Sequence, residues 1–119
     1  MARMLVVDDD PAIRDLLSAV LETWGVEARV VCSGYEATVF LSQHPQVTLL
    51  LTDLQMPGMD GLEVARRVRE RHPGLRILAM TGGGLVREEA GAEFERVLRK
   101  PIDLDELQTL VQTGEAIVA

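Results

Sequence analysis

The sequence predicts an α/β protein with a five-stranded parallel sheet and helices on both of its faces. Short apolar runs that do not alternate with polar residues occur five times, as is typical of strands buried on both faces. A segment with helical spacing, or a shorter helical stretch, follows each run. Strands that are joined by helical crossovers lie parallel, so the alternation predicts one sheet between two layers of helices.

The composition indicates a single soluble domain, expected to span residues 1–119 without an output domain. The 119 residues are 47% hydrophobic and 26% charged, and no apolar run approaches the ~20 residues that span a bilayer. Cys32 is the only cysteine, which excludes an intramolecular disulfide and fits a cytoplasmic protein. A net charge of −7 disfavours nonspecific binding to nucleic acid or to an anionic membrane.

The first half of the chain contains two strand–helix units. Residues 3–7 form a short apolar strand, and Asp10 and Pro11 are suited to the N-cap and first position of a helix that Gly25 stops. A second strand is predicted over residues 26–32. The helix that follows it ends at Pro45.

The third strand, residues 47–51, is the most apolar and is predicted to be central. It stops at Thr52 and Asp53, and Pro57 and Gly58 then turn the chain into a third helix. Asp53 is therefore expected at the carboxyl end of a central strand, where ligands bind in open parallel sheets.

The second half is predicted to contain two shorter units. The fourth strand, residues 76–80, is followed by Thr81, and a reduced fourth helix is predicted around residues 86–92. The fifth strand covers residues 96–99, and Lys100 and Pro101 lead into the last helix. Five such units correspond to the flavodoxin-like order 2-1-3-4-5, in which the first and third strands are neighbours.

This order brings polar residues from four strands to one edge of the sheet. Neighbouring strands lie about 4.8 Å apart, so Asp8, Asp9 and Asp53 are expected to share one pocket. Two carboxylates about 5 Å apart repel by roughly 3 kcal/mol at an effective dielectric constant of about 20, and the cluster therefore needs protonation, a lysine or a divalent cation. Lys100, the only lysine, and Thr81 are predicted at the same edge. The set suits phosphoryl transfer onto a carboxylate.

Four segments, in order and with compatible spacing, together resemble the response-regulator receiver domains of two-component signalling. The segments are LVVDDDP (5–11), TDLQMPGMDG (52–61), MTG (80–82) and LRKP (98–101), and the likeness extends over nearly the whole chain, about residues 3–112. The resemblance implies a switch that catalyses its own phosphorylation and dephosphorylation and is otherwise no enzyme. It implies a histidine kinase or histidine phosphotransfer protein as phosphodonor and a further output protein whose identity the sequence does not give.

The resemblance also implies a role for each site residue. Asp53 would accept the phosphoryl group, Thr81 would be the switch hydroxyl, and Lys100 would contact a phosphoryl oxygen. Mg²⁺ or Mn²⁺ would be bound by Asp9, by Asp53 and by the backbone carbonyl of Gln55, with Asp8 acting through water. The Lys100–Pro101 peptide would be cis, since only proline makes that bond inexpensive.

Two departures from the family pattern concern the output surface, which lies near the fourth and fifth strands. Val97 stands where the family usually has Tyr or Phe, and the stretch after Thr81 is short and begins with Gly82–Gly84.

Three other functions stay open. The chain could be a pseudo-receiver that acts as a phosphorylation-independent interaction module, although the acids, Thr81 and Lys100 are all retained. It could be a receiver module of a hybrid histidine kinase or a larger regulator. A Mg²⁺-dependent phosphohydrolase would need an acid–base Asp two residues after its nucleophile, and Gln55 occupies that position.

Overall fold

The computed structural model describes residues 3–83 and 93–118, with side chains described as far as residue 112. This part of the chain contains five strands and four helices. In chain order they are β1 (Met4–Val7), α1 (Pro11–Thr23), β2 (Ala28–Val31), α2 (Gly34–Gln43), β3 (Leu49–Asp53), α3 (Gly61–Arg71), β4 (Arg76–Thr81), β5 (Arg96–Arg99) and α4 (Leu104–Val118).

The five strands form one parallel sheet in the order β2-β1-β3-β4-β5. The predicted flavodoxin-like topology is thereby confirmed. The register pairs Val7 with Thr52, Asp53 with Met80, and Thr81 with Arg99. The chain therefore leaves β1, β3, β4 and β5 at one edge of the sheet.

Each face of the sheet is covered by two helices. Alternate residues of a strand point to opposite faces, so each strand contributes to both hydrophobic layers. On one face, α2 and α3 pack on the sheet through Ala37, Leu41, Val64, Ala65 and Val68. On the other face, α1 and α4 pack through Leu17, Leu21, Leu107 and Val111.

Polar caps and glycines define where the helices begin and end. Asp10 caps α1 by accepting from the Ala12 N–H at 2.9 Å, and Pro11 occupies the first helical position, as predicted. Gly25, at φ +73°, takes the left-handed conformation that follows the helix.

The third strand starts and ends two residues later than predicted. Thr52 and Asp53 belong to β3 because pairing continues on both sides, to Val7 of β1 and to Met80 of β4. Asp53 is thus the last residue of β3, and its carboxylate lies at the carboxyl end of that strand.

Two other expectations concern the segment around β5. The Lys100–Pro101 peptide is cis. The reduced fourth helix predicted around residues 86–92 lies outside the described residues.

Among the described residues, no helix combines the length and the apolarity needed to cross a bilayer.

Candidate functional site

Three carboxylates meet at the carboxyl edge of the sheet. Asp8 and Asp9 directly follow β1, and Asp53 is the last residue of the neighbouring β3. One carboxylate oxygen from each lies within 4.8 Å of the others. Asp8 is fully buried and Asp53 is 4% exposed, whereas Asp9 is exposed. The predicted acidic pocket therefore has two buried acids and one acid open to solvent.

Lys100 connects the two buried acids. Its Nζ donates to Asp8 Oδ2 at 2.9 Å and to Asp53 Oδ2 at 3.0 Å. The backbone N–H of Lys100 donates to the Thr81 carbonyl at 2.8 Å, which ties the start of the lysine to the end of β4. Lys100 directly follows β5, and its side chain therefore extends past β4 to contact acids at the ends of β3 and β1.

The other oxygen of each buried carboxylate is held by a backbone N–H two residues further on. Asp8 Oδ1 accepts from Asp10 at 2.9 Å, and Asp53 Oδ1 accepts from Gln55 at 3.0 Å. Each carboxylate is thus fixed at one oxygen by its own chain and shares the lysine at the other. This arrangement leaves both acids little freedom to rotate.

The electrostatics of the site reflect one ammonium shared between two buried carboxylates. Burial raises the pKa of Asp53, and the nearby Asp8 charge adds to the rise, while the Gln55 N–H and the Lys100 ammonium oppose it. Burial lowers the pKa of Lys100, but its bonds to Asp8 and Asp53 outweigh that effect, and the net pKa is raised. With Asp9 included, the site has an excess of negative charge and favours a further cation.

Thr81 lies at the same edge, but its hydroxyl faces its own loop. The residue is 3% exposed, and Oγ1 donates to the Gly83 carbonyl at 3.2 Å. The structure thus brings Asp8, Asp9, Asp53 and Lys100 close together and leaves the Thr81 hydroxyl bonded to Gly83. Gln55 is anchored next to Asp53 through its N–H.

Two residues that sequence reasoning did not single out support the buried acids. A Cβ at Gly61 would overlap the carbonyl oxygen of Asp53, so only glycine lets α3 begin against the end of β3. Arg14 Nη1 donates to the Asp8 carbonyl at 3.0 Å from the first turns of α1. A glycine as the first residue of a helix could have indicated the close approach at Gly61.

Comparisons with known proteins point to one family. The family sequence model of the response regulator receiver domain matches residues 4–112. The response regulator receiver protein CpdR of Brucella abortus is 38% identical over 110 residues, which cover 90% of this chain and 91% of CpdR. The DNA-binding transcriptional regulator NtrC of Salmonella typhimurium is 37% identical over 111 residues, or 90% of this chain, but the chain spans only 23% of NtrC.

Solved structures agree with this family. The response regulator protein TrrA of Thermotoga maritima, in complex with Mg(2+)-BeF, is 34% identical and superimposes with a TM-score of 0.84 over 95% of this chain and 98% of that one. A response regulator receiver protein of Pseudomonas putida, 31% identical with the same coverage, gives a TM-score of 0.87. The family match over residues 4–112, the fold and the acidic site agree, and the chain belongs to the response regulator receiver domain family.

Proposed function

We propose that this chain is the phosphoacceptor of a His-Asp phosphorelay and that Asp53 receives the phosphoryl group. The observation that carries the proposal is the ammonium of Lys100, held 2.9 and 3.0 Å from two buried carboxylates, with a third carboxylate beside them. Such a cluster concentrates positive and negative groups where a phosphoryl group would need both an attacking oxygen and charge neutralisation.

Asp53 is the best placed nucleophile of the three acids. Its carboxylate oxygen would attack phosphorus in a phosphohistidine, so a P–O bond forms while the P–N bond breaks and its electron pair returns to the imidazole. Burial and the raised pKa make the ionised carboxylate more basic and hence more nucleophilic. The Gln55 N–H, at 3.0 Å, holds the carboxylate in a fixed orientation during the attack.

Lys100 and Thr81 would act on the phosphoryl oxygens. When Asp53 Oδ2 becomes part of an acyl phosphate, its charge moves to the phosphoryl oxygens, and the Lys100 ammonium can follow it there while keeping Asp8. The Thr81 hydroxyl, bonded to Gly83 in this structure, would exchange that bond for one to a phosphoryl oxygen. Such an exchange would move the loop that follows β4 and change the surface near β4 and β5.

The acidic cluster also fits a divalent metal. Its donors are all oxygens, lie within 4.8 Å of one another, and include one solvent-exposed carboxylate by which an ion could enter. Asp9, Asp53 and the backbone carbonyl of Gln55 would hold Mg²⁺ or Mn²⁺, with Asp8 acting through water. When bound, the ion would neutralise oxygen charge that Lys100 alone leaves unbalanced.

The partners follow from the proposed chemistry. A histidine kinase or a histidine phosphotransfer protein would supply the phosphoryl group, the output protein is not identified by this chain, and a cytoplasmic location suits both. The chain would work as one receiver unit over residues 1–119, alone or within a longer regulator. The DNA-binding relatives carry the matching segment as part of a longer protein, and nucleic acid is not proposed as a ligand of this chain.

Intact-mass measurement after incubation with acetyl phosphate tests the proposal. Wild type with Mg²⁺ should gain one phosphoryl group, and excess chelator should prevent the gain. Asp53→Asn should gain none. Asp60→Asn is the matched control, because it removes a nearby acid while asparagine still caps α3. A phospho-adduct on Asp53→Asn, or equal labelling in chelator, would contradict the proposal.

A further inference from the structure

The strand β2 forms one edge of the sheet and leaves backbone groups without a partner strand. Among the described residues it pairs only with β1. The carbonyls of Glu27 and Val31 accept bonds from the β1 side, at 2.8 and 3.2 Å. Because backbone groups alternate in direction along a strand, those of Ala28 and Val30 face away from the sheet. An added strand would find two outward-facing residues there.

A cleft of about 370 Å³ runs beside this edge, between β2 and α2. Tyr35 and Val39 of α2 border it and are 60% and 57% exposed. Together with Leu16, which lies elsewhere on α1, they are the large apolar side chains of the described residues that are exposed. The cleft therefore presents apolar surface next to unpaired backbone groups.

Arg29 lines the same cleft and supplies a positive charge there. Its guanidinium lies over the ring of Phe40, 5.8 Å from the centroid, and the His44 ring stacks on Phe40 at 3.9 Å. Within the part of the chain that the structure describes, Arg29 makes no salt bridge. The guanidinium is thus positioned by an aromatic ring and remains available to a carboxylate.

We propose that the β2 edge and this cleft bind an extended segment of another protein. The segment would add as a strand beside Ala28 and Val30, insert an apolar side chain between Tyr35 and Val39, and place a carboxylate two residues away against Arg29. An extended occupant is favoured over a helix because only an extended backbone satisfies the outward-facing groups of β2. Side chains two residues apart share one face of a strand, so the apolar side chain and the carboxylate can both face the cleft that Arg29 borders.

The charge of Arg29 argues against a second copy of this chain as the occupant. In the twofold antiparallel pairing of β2 that is centred on Arg29, Ala28 would pair with Val30, and the two Arg29 side chains would lie opposite each other. Like charges directly opposite destabilise a strand pair. The overall charge of −7 disfavours strongly acidic partners at long range, but screening limits this to about 8 Å at physiological salt, so one carboxylate can still pair with Arg29.

The test is a titration of isotope-labelled protein with a synthetic peptide, followed by NMR. The peptide, Ac-Thr-Leu-Thr-Asp-Thr-Leu-Thr-NH₂, places leucine and aspartate on one face of a strand. Its partner peptide replaces the aspartate with lysine. We expect the acidic peptide to shift the amide signals of Ala28, Val30 and residues 35–40, with millimolar or tighter affinity. Binding needs no phosphodonor, so a failure here leaves the phosphoacceptor proposal untouched.

Reversing the charge of residue 29 and of the peptide gives the decisive comparison. Arg29→Glu should weaken binding of the acidic peptide roughly fivefold or more and should favour the lysine peptide instead. Arg96→Glu, on the opposite edge strand β5, is the matched control and should leave both affinities unchanged. Val30→Pro removes an outward-facing N–H that the sheet does not use and should also block binding.

Four results would overturn the proposal. Three of them are shifts centred away from β2 and α2, equal affinity of Arg29→Glu for both peptides, and the absence of shifts with millimolar peptide. Concentration-dependent self-association lost in Val30→Pro would instead identify a second copy as the occupant and would also overturn it.

Discussion

Two carboxylates, one at the carboxyl ends of the strands and one at their amino ends, each bond a cation, yet their pKa values are shifted in opposite directions. Asp53, at the carboxyl edge, bonds Lys100 and has a raised pKa, for which burial is the main cause. Glu95, at the amino edge, bonds Arg76 at 2.8 and 2.6 Å and has a lowered pKa, mainly because of those bonds.

Burial and the number of competing acids account for the difference. Glu95 has a side chain that is 41% exposed and bonds two guanidinium nitrogens of Arg76. Asp53 is buried and shares one ammonium with Asp8. A cation that serves one exposed acid contributes stability, whereas a cation that serves two buried acids leaves charge unbalanced. The buried acids at the carboxyl edge therefore carry more negative charge than Lys100 neutralises.

The largest effect is expected from Lys100→Ala. In chelator, Asp8 and Asp53 would repel each other without their ammonium, and the free energy of unfolding should fall by about 3 kcal/mol. Mg²⁺ affinity should stay the same or increase, because the ammonium and the metal compete for the same oxygens. Urea denaturation and a calorimetric Mg²⁺ titration measure the two quantities. Lys100→Arg, which keeps the charge, is the control, and a sharp fall in Mg²⁺ affinity would contradict the expectation.

Asp53→Asn is expected to stabilise the metal-free protein. At neutral pH the substitution removes a buried charge and leaves Lys100 paired with Asp8 alone, so the free energy of unfolding should rise on the order of 1 kcal/mol. The pKa of Asp53 is raised in the folded state, so ionisation favours unfolding, and wild type regains stability as the pH falls through that raised value. The gain in the variant should therefore shrink in acid.

Denaturation of wild type and Asp53→Asn across acidic and neutral pH measures this effect. Asp60→Asn should show no comparable gain, since it alters an exposed cap. A variant less stable than wild type at neutral pH in chelator would show that the Lys100 bond outweighs burial at Asp53.

Glu95→Gln should lower the free energy of unfolding at neutral pH, a smaller effect than that of Asp53→Asn and of opposite sign. Its lowered pKa means that the pair with Arg76 contributes stability above the ordinary carboxyl pKa and loses it as the pH falls through the lowered value. The exposed pair should be worth about 0.5–1 kcal/mol at neutral pH and less in high salt. Glu63→Gln, which breaks an exposed pair with Arg67 within α3, serves as the comparison. An effect of Glu95→Gln that is unchanged by salt would count against this account.

The smallest effect is expected in the fluorescence of Trp24. The residue caps the C-terminal end of α1, at the amino edge of the sheet and away from the acids. Mg²⁺ should leave its emission nearly unchanged under conditions in which calorimetry detects binding. Strong quenching at those metal concentrations would contradict the separation of the two edges.

The sequence predicted the fold order and the meeting of the acids with Lys100, because strand ends in a parallel sheet share one edge. It did not predict that β3 extends through Asp53, since that depends on pairing with β1 and β4. The hydroxyl direction of Thr81 depends on its bond to Gly83, which no spacing indicates. The contact of Gly61 with the Asp53 carbonyl depends on how closely α3 approaches β3, a feature of packing that periodicity does not contain.

The bonds from Lys100 to Asp8 and Asp53 affect when, during folding, the acidic site is completed. Lys100 is 92 positions from Asp8 and 47 from Asp53, so both bonds are among the most non-local contacts of the chain. Closing loops of this length is slow, and the gain comes only when both ends are in place. A chain in which β5 has not yet joined the sheet has its acids without their ammonium. The proposed reaction with a phosphodonor should therefore become possible late in folding, and a nascent or partly unfolded chain should not accept a phosphoryl group.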